Sequence, residues 1–405
     1  MREKTMNQRT SPIRKTGTIA GLTLLLMACP AVANAAAKKK GAAKPVNLVW
    51  PLPPEKPRIK YVTSISGAGD VEPVKKAGFL DRVAGIQKKD VKAAFEKPHG
   101  VATDSHGRIY VTDSAQGLVF VLDRNNKRVS LIGSGPQVNL RVPLGITVDA
   151  QDRVWVADAV AQHVYAFDTD GNPLMVLGKQ GELENPTSVA VDEKRHRLYV
   201  VDSKKHCVVV YDSESGQRLN QFGQRGLGRG EFNFPTHVVV DRQGRIYVSD
   251  TMNFRVQIFD AEYRFVDTIG SQGNRFGQFL KPKGLALDSY QNLYVVDSDF
   301  ANFQVFDQQK RLLMFLGSGG EDAGMFLLPC GIHIDSNNYI YVTDQNNRRI
   351  QIFQLLDGTI EEPATRRPEI ATVSSSPNKG GETGVTKITN SDQVPHEIKQ
   401  GETTP

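Results

Sequence analysis

The chain repeats one short stretch six times, as Tyr110-Val111-Thr112-Asp113, Trp155-Val156-Ala157-Asp158, Tyr199-Val200-Val201-Asp202, Tyr247-Val248-Ser249-Asp250, Tyr294-Val295-Val296-Asp297 and Tyr341-Val342-Thr343-Asp344. Successive aspartates are 45, 44, 48, 47 and 47 residues apart. Each tetrad lies among short runs rich in β-branched and aromatic residues, and turn-forming residues separate these runs. One such unit cannot bury both faces of its sheet alone. The period therefore predicts an all-β propeller of six four-stranded blades.

The sixth repeat lacks an outer strand. The first five repeats each close a fourth strand on a glycine, whereas the sixth passes from Ile350-Gln351-Ile352-Phe353 into a polar tail. The segment 58–67, ahead of the first repeat, has the missing pattern. We therefore expect this N-terminal strand to complete the last blade and close the ring, which leaves no open sheet edge at the seam.

The start of the chain predicts export. Residues 1–35 combine a basic beginning, an apolar core at 18–28 and the small residues Ala33-Asn34-Ala35, as in a signal peptide. The stretch Leu26-Met27-Ala28-Cys29 also resembles a lipoprotein signal, in which Cys29 would carry the lipid. Soluble and lipid-anchored forms both stay open. Either form would be periplasmic or extracellular, the lipid-anchored one on the outer membrane.

The remaining segments flank the repeats. The domain boundaries that we predict are 1–35 for the signal peptide, 36–57 for a basic proline-rich linker, 58–360 for the propeller and 361–405 for a disordered tail. Within the propeller, 68–96 is a connection in which Phe79, Leu80, Val83 and Ile86 fall on one helical face. This spacing predicts a short amphipathic helix over one end of the ring.

Charge and cysteine content exclude several functional classes. The formal net charge is +6, but residues 1–57 hold ten basic and two acidic residues, so the rest of the chain carries −2. That balance does not favour nucleic-acid binding. Cys207 and Cys330 belong to repeats on opposite sides of the ring, so we expect no disulfide between them. The sequence has no haem-attachment motif, zinc-finger spacing or phosphate-binding loop.

The repeat resembles the NHL family of six-bladed propellers. Repeat six contains Asn347-Arg348-Arg349-Ile350-Gln351-Ile352-Phe353, and repeat four contains Asn253-Phe254-Arg255-Val256-Gln257-Ile258-Phe259-Asp260. Both follow the Asn-x-Arg-[Ile/Val]-Gln-[Ile/Val]-Phe pattern of that family. The resemblance covers about 58–360 and implies the fold, whereas this fold hosts scaffolds, binding proteins and enzymes alike.

One face of the predicted ring is polar and rather basic. The residue after the proline that begins each inner strand, which we call the start position, is His99, Leu144, Thr187, Thr236, Lys283 or Cys330. Loops between second and third strands should emerge on the same face and include His163, Arg255 and Arg349. We predict that His99, His163, Lys283, Arg255 and Arg349 bind a partner on this face.

A metal site is the alternative at the same face. The peptidyl-hydroxyglycine lyases, which cleave a carbinolamide to a peptide amide, resemble this chain at Pro98-His99-Gly100, where they place a zinc-binding histidine. The other start positions depart from their pattern. His99, Cys330 from the neighbouring blade and His237 across the channel could instead form a looser site for zinc or copper. Lactonase-like propellers use acidic and amide ligands, and no start position carries one.

The sequence thus favours binding over catalysis, and we assign no catalytic residue. We expect a monomeric scaffold in the cell envelope that binds a protein or peptide and touches membrane only through a lipid anchor. The alternative is a metal-dependent lyase or hydrolase at the channel mouth. We expect the recurring aspartates at the ends of the strands to hold turns rather than to act in catalysis.

Overall fold

A computed structural model describes residues 48–72, 93–179 and 181–356. The predicted signal peptide with Cys29, the helix around Phe79, Leu80, Val83 and Ile86, and the predicted tail lie outside these residues. In the described ranges no helix is long and apolar enough to cross a membrane.

The described residues form short strands and three single-turn 3₁₀ helices. The 3₁₀ turns are Ala68–Asp70, Glu193–Arg195 and Thr251–Asn253. The strands are β1 Val49–Trp50, β2 Ile59–Ile65, β3 Pro98–Thr103, β4 Ile109–Asp113, β5 Leu118–Asp123, β6 Arg128–Ile132, β7 Pro143–Val148, β8 Val154–Asp158, β9 His163–Phe167, β10 Pro173–Leu177, β11 Pro186–Asp192, β12 Arg197–Asp202, β13 Cys207–Asp212, β14 Arg218–Phe222, β15 Pro235–Val240, β16 Ile246–Asp250, β17 Arg255–Phe259, β18 Phe265–Ile269, β19 Pro282–Leu287, β20 Leu293–Asp297, β21 Asn302–Phe306, β22 Leu312–Leu316, β23 Pro329–Ile334, β24 Tyr339–Asp344 and β25 Arg349–Leu355.

These strands build six antiparallel sheets, which confirms the predicted propeller. Five sheets contain four consecutive strands each, and the sixth has the order β1-β2-β25-β24-β23. The closing strand is where the sequence predicts it, because β2 pairs with β25 from Ile59 opposite Leu355 to Ile65 opposite Ile350. The ring therefore has no unpaired seam between its last and first blades.

One strand differs from the sequence prediction. Val49 and Trp50, in the segment that the sequence predicts as linker, pair with Lys60 and Ile59 and add a fifth strand to the last blade. The Trp50 ring contacts Phe353 edge-on at 5.7 Å. A strand of two residues has too little pattern to be predicted from sequence, and this strand forms because the Trp50 ring can cover the blade's outer edge.

The core lies between neighbouring blades. Alternate residues of each strand face one neighbour or the other, so that every blade contributes to two apolar layers. The connections between later blades add Phe232, Phe279 and Phe326, whose side chains are fully buried. Each ring packs against the glycine that ends the preceding outer strand, Gly223, Gly270 or Gly317, where a Cβ would come within 2.3–2.7 Å of it.

A buried aspartate ends the second strand of every blade and holds the start of the inner strand. In blade four, Asp250 accepts hydrogen bonds from the Asn233 amide at 2.7 Å, Arg255 Nε at 2.8 Å and Gln257 Nε2 at 2.9 Å. Asp113 and Asp344 accept equivalent amide bonds just ahead of β3 and β23. The predicted structural role of these aspartates matches these contacts, since each carboxylate satisfies amides that the turns leave without partners.

We expect Asp250→Ala to lower the free energy of unfolding by about 3–5 kcal/mol, because it removes a fully buried acceptor and leaves the Arg255 guanidinium without its carboxylate. Asp260→Ala is the matched control in the same blade. Its partner Arg264 is 73% exposed, so we expect a loss below about 1 kcal/mol. Urea denaturation of both variants measures the difference, and equal losses would contradict the bracing role.

Candidate functional site

The six inner strands begin at one mouth of the central channel, where three metal-binding side chains meet. His99 in β3, His237 in β15 and Cys330 in β23 each offer a ligand atom, and these atoms all lie within 4.8 Å of one another. His99 Nε2 is 3.1 Å from Cys330 Sγ. The His99 and His237 rings stack at 5.9 Å with an angle of 6° between their planes. The structure thus brings together the three residues that the sequence names as a looser metal site.

Close packing of neighbouring inner strands brings His99 to Cys330. A Cβ on Gly331 would lie 2.4 Å from the His99 carbonyl oxygen, so only glycine lets β23 approach β3 this closely. The Thr343 hydroxyl then donates to that same carbonyl at 2.8 Å and accepts from the Gly331 amide at 2.7 Å. The Thr343 hydroxyl therefore fixes how His99 and Cys330 lie relative to each other along the channel axis.

His237 reaches the cluster by a different route. It stands one residue beyond the start position, where blades one, two, five and six carry glycine. The preceding blade makes room with the small Ser188, whose hydroxyl accepts from the Val238 amide at 3.3 Å. The His237 Nδ1 contacts the Thr236 hydroxyl at 3.1 Å. Its imidazole thus replaces a spacing glycine.

The electrostatics of the cluster favour a thiolate beside a neutral imidazole. Burial alone raises the pKa of the Cys330 thiol, but the charges of His99 and Lys283 and hydrogen bonds from both lower that pKa to about 7. The Lys283 ammonium lies 3.8 Å from Cys330 Sγ. Burial, together with the charges of His99 and Lys283, holds the pKa of His237 well below its usual value. Metal ions bind cysteine as the thiolate and histidine as the neutral imidazole, so these electrostatics favour the metal-binding form of both residues.

One nitrogen of the cluster lacks a partner within the protein. His99 Nδ1 is buried and makes no hydrogen bond among the described residues. Leaving a buried polar atom unpaired usually costs about 1–3 kcal/mol. His99 Nδ1 is therefore available to a group that enters the cluster.

The structure places the other predicted partner-binding residues apart from this cluster. Arg255 donates to Asp250 and to the Gly228 and Glu231 carbonyls, and Arg349 makes the equivalent contacts with Asp344 and the Asp322 and Met325 carbonyls. Their exposed fractions are 15% and 13%. His163 Nδ1 faces the Ala161 carbonyl at 2.5 Å. Both arginines hold the connection that leads into the inner strand of their own blade.

Sequence reasoning missed two polar contacts at the channel. Lys283, which the sequence predicts as a partner-binding residue, lies beside Cys330 of the neighbouring blade. His333 lies in the channel wall, where its Nε2 contacts the Thr103 hydroxyl at 2.8 Å. The signal for His333 was present, because the corresponding position in the other blades holds alanine, threonine or valine.

Comparisons with known proteins agree with this architecture. The family described as NHL repeat matches residues 95–115 and 232–259, and a family described as a six-bladed β-propeller matches residues 144–221. The chain is a six-bladed propeller of NHL repeats. Peptidylglycine alpha-amidating monooxygenase of Rattus norvegicus is 28% identical to it over 215 residues, which are 50% of this chain. The NHL propeller spans only 18% of the length of that relative.

Solved structures share the fold of this NHL propeller at low sequence identity. A structural genomics protein of unknown function from Bacteroides thetaiotaomicron matches with a TM-score of 0.56 and 17% identity, over 74% of this chain and 76% of its own. An auxiliary nutrient binding protein from the same organism matches with a TM-score of 0.52 and 15% identity, over 64% of this chain and 69% of its own. Such likeness establishes the fold alone.

The site predicts a thiol that ionises near neutral pH in metal-free protein. We expect the ultraviolet thiolate absorbance of the NHL propeller, minus that of Cys330→Ala, to titrate at a pKa of about 7. Cys207 should stay protonated there, because burial raises the pKa of its thiol to about 12. Lys283→Met removes a neighbouring cation that favours the thiolate, so the Cys330 pKa should rise towards 9.0. Lys281→Met, at a 39% exposed lysine, should leave the midpoint unchanged. An unshifted midpoint in Lys283→Met would contradict this electrostatic account.

Proposed function

We propose that this NHL propeller is a metal-dependent enzyme, a lyase or hydrolase, that acts on a peptide-like substrate at one mouth of its channel. The observation that carries the proposal is the convergence of His99, His237 and Cys330 within 4.8 Å. Three protein ligands with a fourth position open are the pattern of catalytic zinc sites. The sequence alone favours a binding role, and the convergence of three ligands moves our preference to catalysis.

The residues present fit zinc. Two imidazoles and one thiolate are common zinc ligands, and copper accepts the same set. The neutral His237 ring and the readily ionised Cys330 thiol suit metal binding, and His99 Nδ1 has no competing partner in the described structure. A bound zinc ion would supply Lewis-acid polarisation of a carbonyl oxygen or lower the pKa of a water molecule.

A metal-free mechanism with Cys330 as nucleophile and His99 as base is a weaker alternative. Cys330 and His99 at 3.1 Å have the spacing of a thiol nucleophile and its base. Cys330 is 0% exposed, however, so a substrate carbonyl could not approach its sulfur without movement of the inner strands. A buried thiolate beside two imidazoles supports a ligand role over a nucleophilic one. Lys283, at the same sulfur, would stabilise the ligand thiolate by hydrogen bonding.

The relatives support a peptide-like substrate. The match to an enzyme named for the amidation of peptidylglycine covers 50% of this chain. The resemblance to hydroxyglycine lyases was weak at the start positions, of which only His99 agrees in register. The cluster supports the same kind of chemistry with a different ligand set, since Cys330 places a thiol at a start position and His237 stands one residue beyond one.

A second candidate function is binding of a peptide or protein by the surrounding rim. Three apolar side chains on loops at this face are exposed: Val160 by 48%, Phe234 by 43% and Met252 by 47%. Exposed apolar residues on a polar rim are common at peptide-binding surfaces. We place either function outside the cytoplasm, because the sequence predicts a signal peptide and, for the lipid-anchored form, Cys29 as the lipid-carrying residue. His163 belongs to the surrounding rim.

We expect zinc or copper at close to one ion per chain in protein purified without chelator, measured by mass spectrometry of the metal. His99→Ala, His237→Ala and Cys330→Ala should each reduce the content at least about tenfold. His163→Ala, a rim histidine outside the cluster, is the control and should retain the metal. Metal-loaded protein should cleave a peptidyl α-hydroxyglycine or an activated ester, and chelation should abolish the reaction. Folded, metal-free wild type would overturn the proposal.

A rim function makes a separate prediction. If Phe234 and Met252 anchor a peptide, Phe234→Ala and Met252→Ala should weaken binding of apolar peptides from a synthetic panel by about tenfold each, as for central interface residues. Metal content should stay unchanged in both. Leu219→Ala, a 48% exposed leucine on an outer strand, is the matched control. Fluorescence anisotropy measures the affinity, and equal binding by all variants would rule out these anchors.

A further inference from the structure

An apolar groove opens on the outer side of the propeller, between the outermost strands of the fifth and sixth blades. Its volume is about 470 Å³. One wall is formed by residues 48–52, which include β1, and the other by Met314 and Phe315 of β22 together with the connection 323–325. Of the described residues that line this groove, only Ser318 has a polar side chain. Water therefore solvates the groove poorly.

Backbone and ring contacts hold the N-terminal wall in place. The Tyr61 amide donates to the Leu48 carbonyl at 2.9 Å, and the Arg58 amide donates to the Trp50 carbonyl at 2.7 Å. A Cβ on Gly324 would lie 2.6 Å from the Trp50 ring, so glycine at this position lets the ring pack against the connection into the inner strand of blade six. The groove is therefore a fixed part of the fold.

Large apolar side chains are exposed around the groove. Phe276 is 71% exposed, Leu52 66% and Phe315 42%. Phe276 belongs to the connection between blades four and five, and its ring stacks on the Phe315 ring at 4.5 Å with an angle of 22° between their planes. This stack extends the apolar surface of the groove towards blade four. A contiguous exposed apolar surface of this kind is typical of a contact with a partner molecule or a membrane.

The chain that leads into the groove narrows the choice of partner. Leu48, the first described residue, itself lines the groove. The preceding residues 36–47, the N-terminal part of the predicted linker, contain four lysines and no acidic residue: Lys38, Lys39, Lys40 and Lys44. Lys44 is four residues before Leu48, so even a fully extended chain would carry it no further than about 14 Å from that residue. A partner at the groove thus meets apolar side chains and positive charge together.

Other occupants of the groove fit less well. Residues 36–47 contain no aromatic residue, and Val46 is their only large apolar one, so this segment is a poor match for the groove. In a pair of chains joined groove to groove, the lysines of the two linkers would repel each other. The charges of Arg275 beside Phe276 and of Glu321 and Asp322 beside the connection 323–325 do not give a basic surface by themselves. The positive charge comes from the linker.

We propose that this face docks the propeller onto a lipid surface with anionic headgroups. Leu52, Phe276 and Phe315 enter the boundary between headgroups and acyl chains, while the four linker lysines attract the lipid phosphates. Proteins that lie on a bilayer combine apolar side chains with basic residues in this way. The sequence predicts membrane contact only through a lipid on Cys29, whereas this inference gives the folded domain a contact of its own. It applies to the soluble and the lipid-anchored form, since both contain residues 36–47, and it does not depend on the metal cluster.

Sedimentation with vesicles tests the docking on the lipid-free mature chain, residues 36–405. We expect binding to vesicles of phosphatidylcholine with phosphatidylglycerol and at least about tenfold weaker binding to phosphatidylcholine alone. Leu52→Ala and Phe276→Ala should each weaken binding to the anionic vesicles by about fivefold or more. Leu227→Ala, at a 76% exposed leucine in the connection between blades three and four, is the matched control and should bind as the wild type does. Glutamine in place of all four linker lysines should reduce binding to the level seen on phosphatidylcholine alone.

Tryptophan fluorescence reports which face touches the bilayer. The chain contains two tryptophans, of which Trp155 is fully buried and Trp50 lines the groove. Brominated lipids in the same vesicles should therefore quench part of the fluorescence, and Trp50→Phe should remove the part that can be quenched.

Each other outcome would overturn the proposal. Binding that depends on the lysines but is unchanged in Leu52→Ala and Phe276→Ala, without quenching of Trp50, would mean that the linker alone contacts lipid. Self-association without vesicles that Phe276→Ala abolishes would assign the groove to a second copy of the chain. Absence of binding to either kind of vesicle would exclude the lipid surface. Circular dichroism checks that the variants fold, as expected for side chains that are more than half exposed.

Discussion

The buried aspartate at the end of each second strand is the interaction on which the rest of this propeller depends. It accepts hydrogen bonds from the turn about 17 residues earlier, which leads into the inner strand. It also accepts from the loop that follows it, through a backbone amide in four blades and an asparagine side chain in blades four and six. The start of each inner strand is therefore fixed to the strand beside it by bonds within its own blade. Because the carboxylate is fully buried, the strength of these bonds is not diluted by water.

That constraint is what makes a site at the channel mouth feasible. Asp113, Asp250 and Asp344 fix the starts of the three strands that carry His99, His237 and Cys330. Three side chains from rigid strands can be held at ligand distance with little conformational entropy left to lose. The spacing glycines set how closely adjacent strands approach, and His237 places an imidazole at one of these positions. The same ring therefore accommodates the candidate cluster without changing its fold.

The fold could be predicted well because the period and the tetrads are local patterns that repeat. The missing outer strand of the sixth repeat was visible as a departure from that pattern. The sequence named His99, His237 and Cys330 because the start positions can be aligned from blade to blade. It did not predict that Lys283 would face Cys330, since that contact depends on the twist between adjacent blades and on side-chain rotamers. β1 was missed for a different reason: two residues have no periodicity, and only the covered edge of the last blade makes them a strand.

The strand that closes the ring also decides when the site can exist. His99 and Cys330 stand on the two sides of the seam, 231 positions apart in the chain, and they meet only once β2 has paired with β25. Contacts of such separation form late, since a large loop must close first. A nascent chain that stops after five blades would contain most of the packed core, His99 and His237, but it would lack Cys330. The three candidate ligands thus come together only when the sixth blade has been made and has docked against the first.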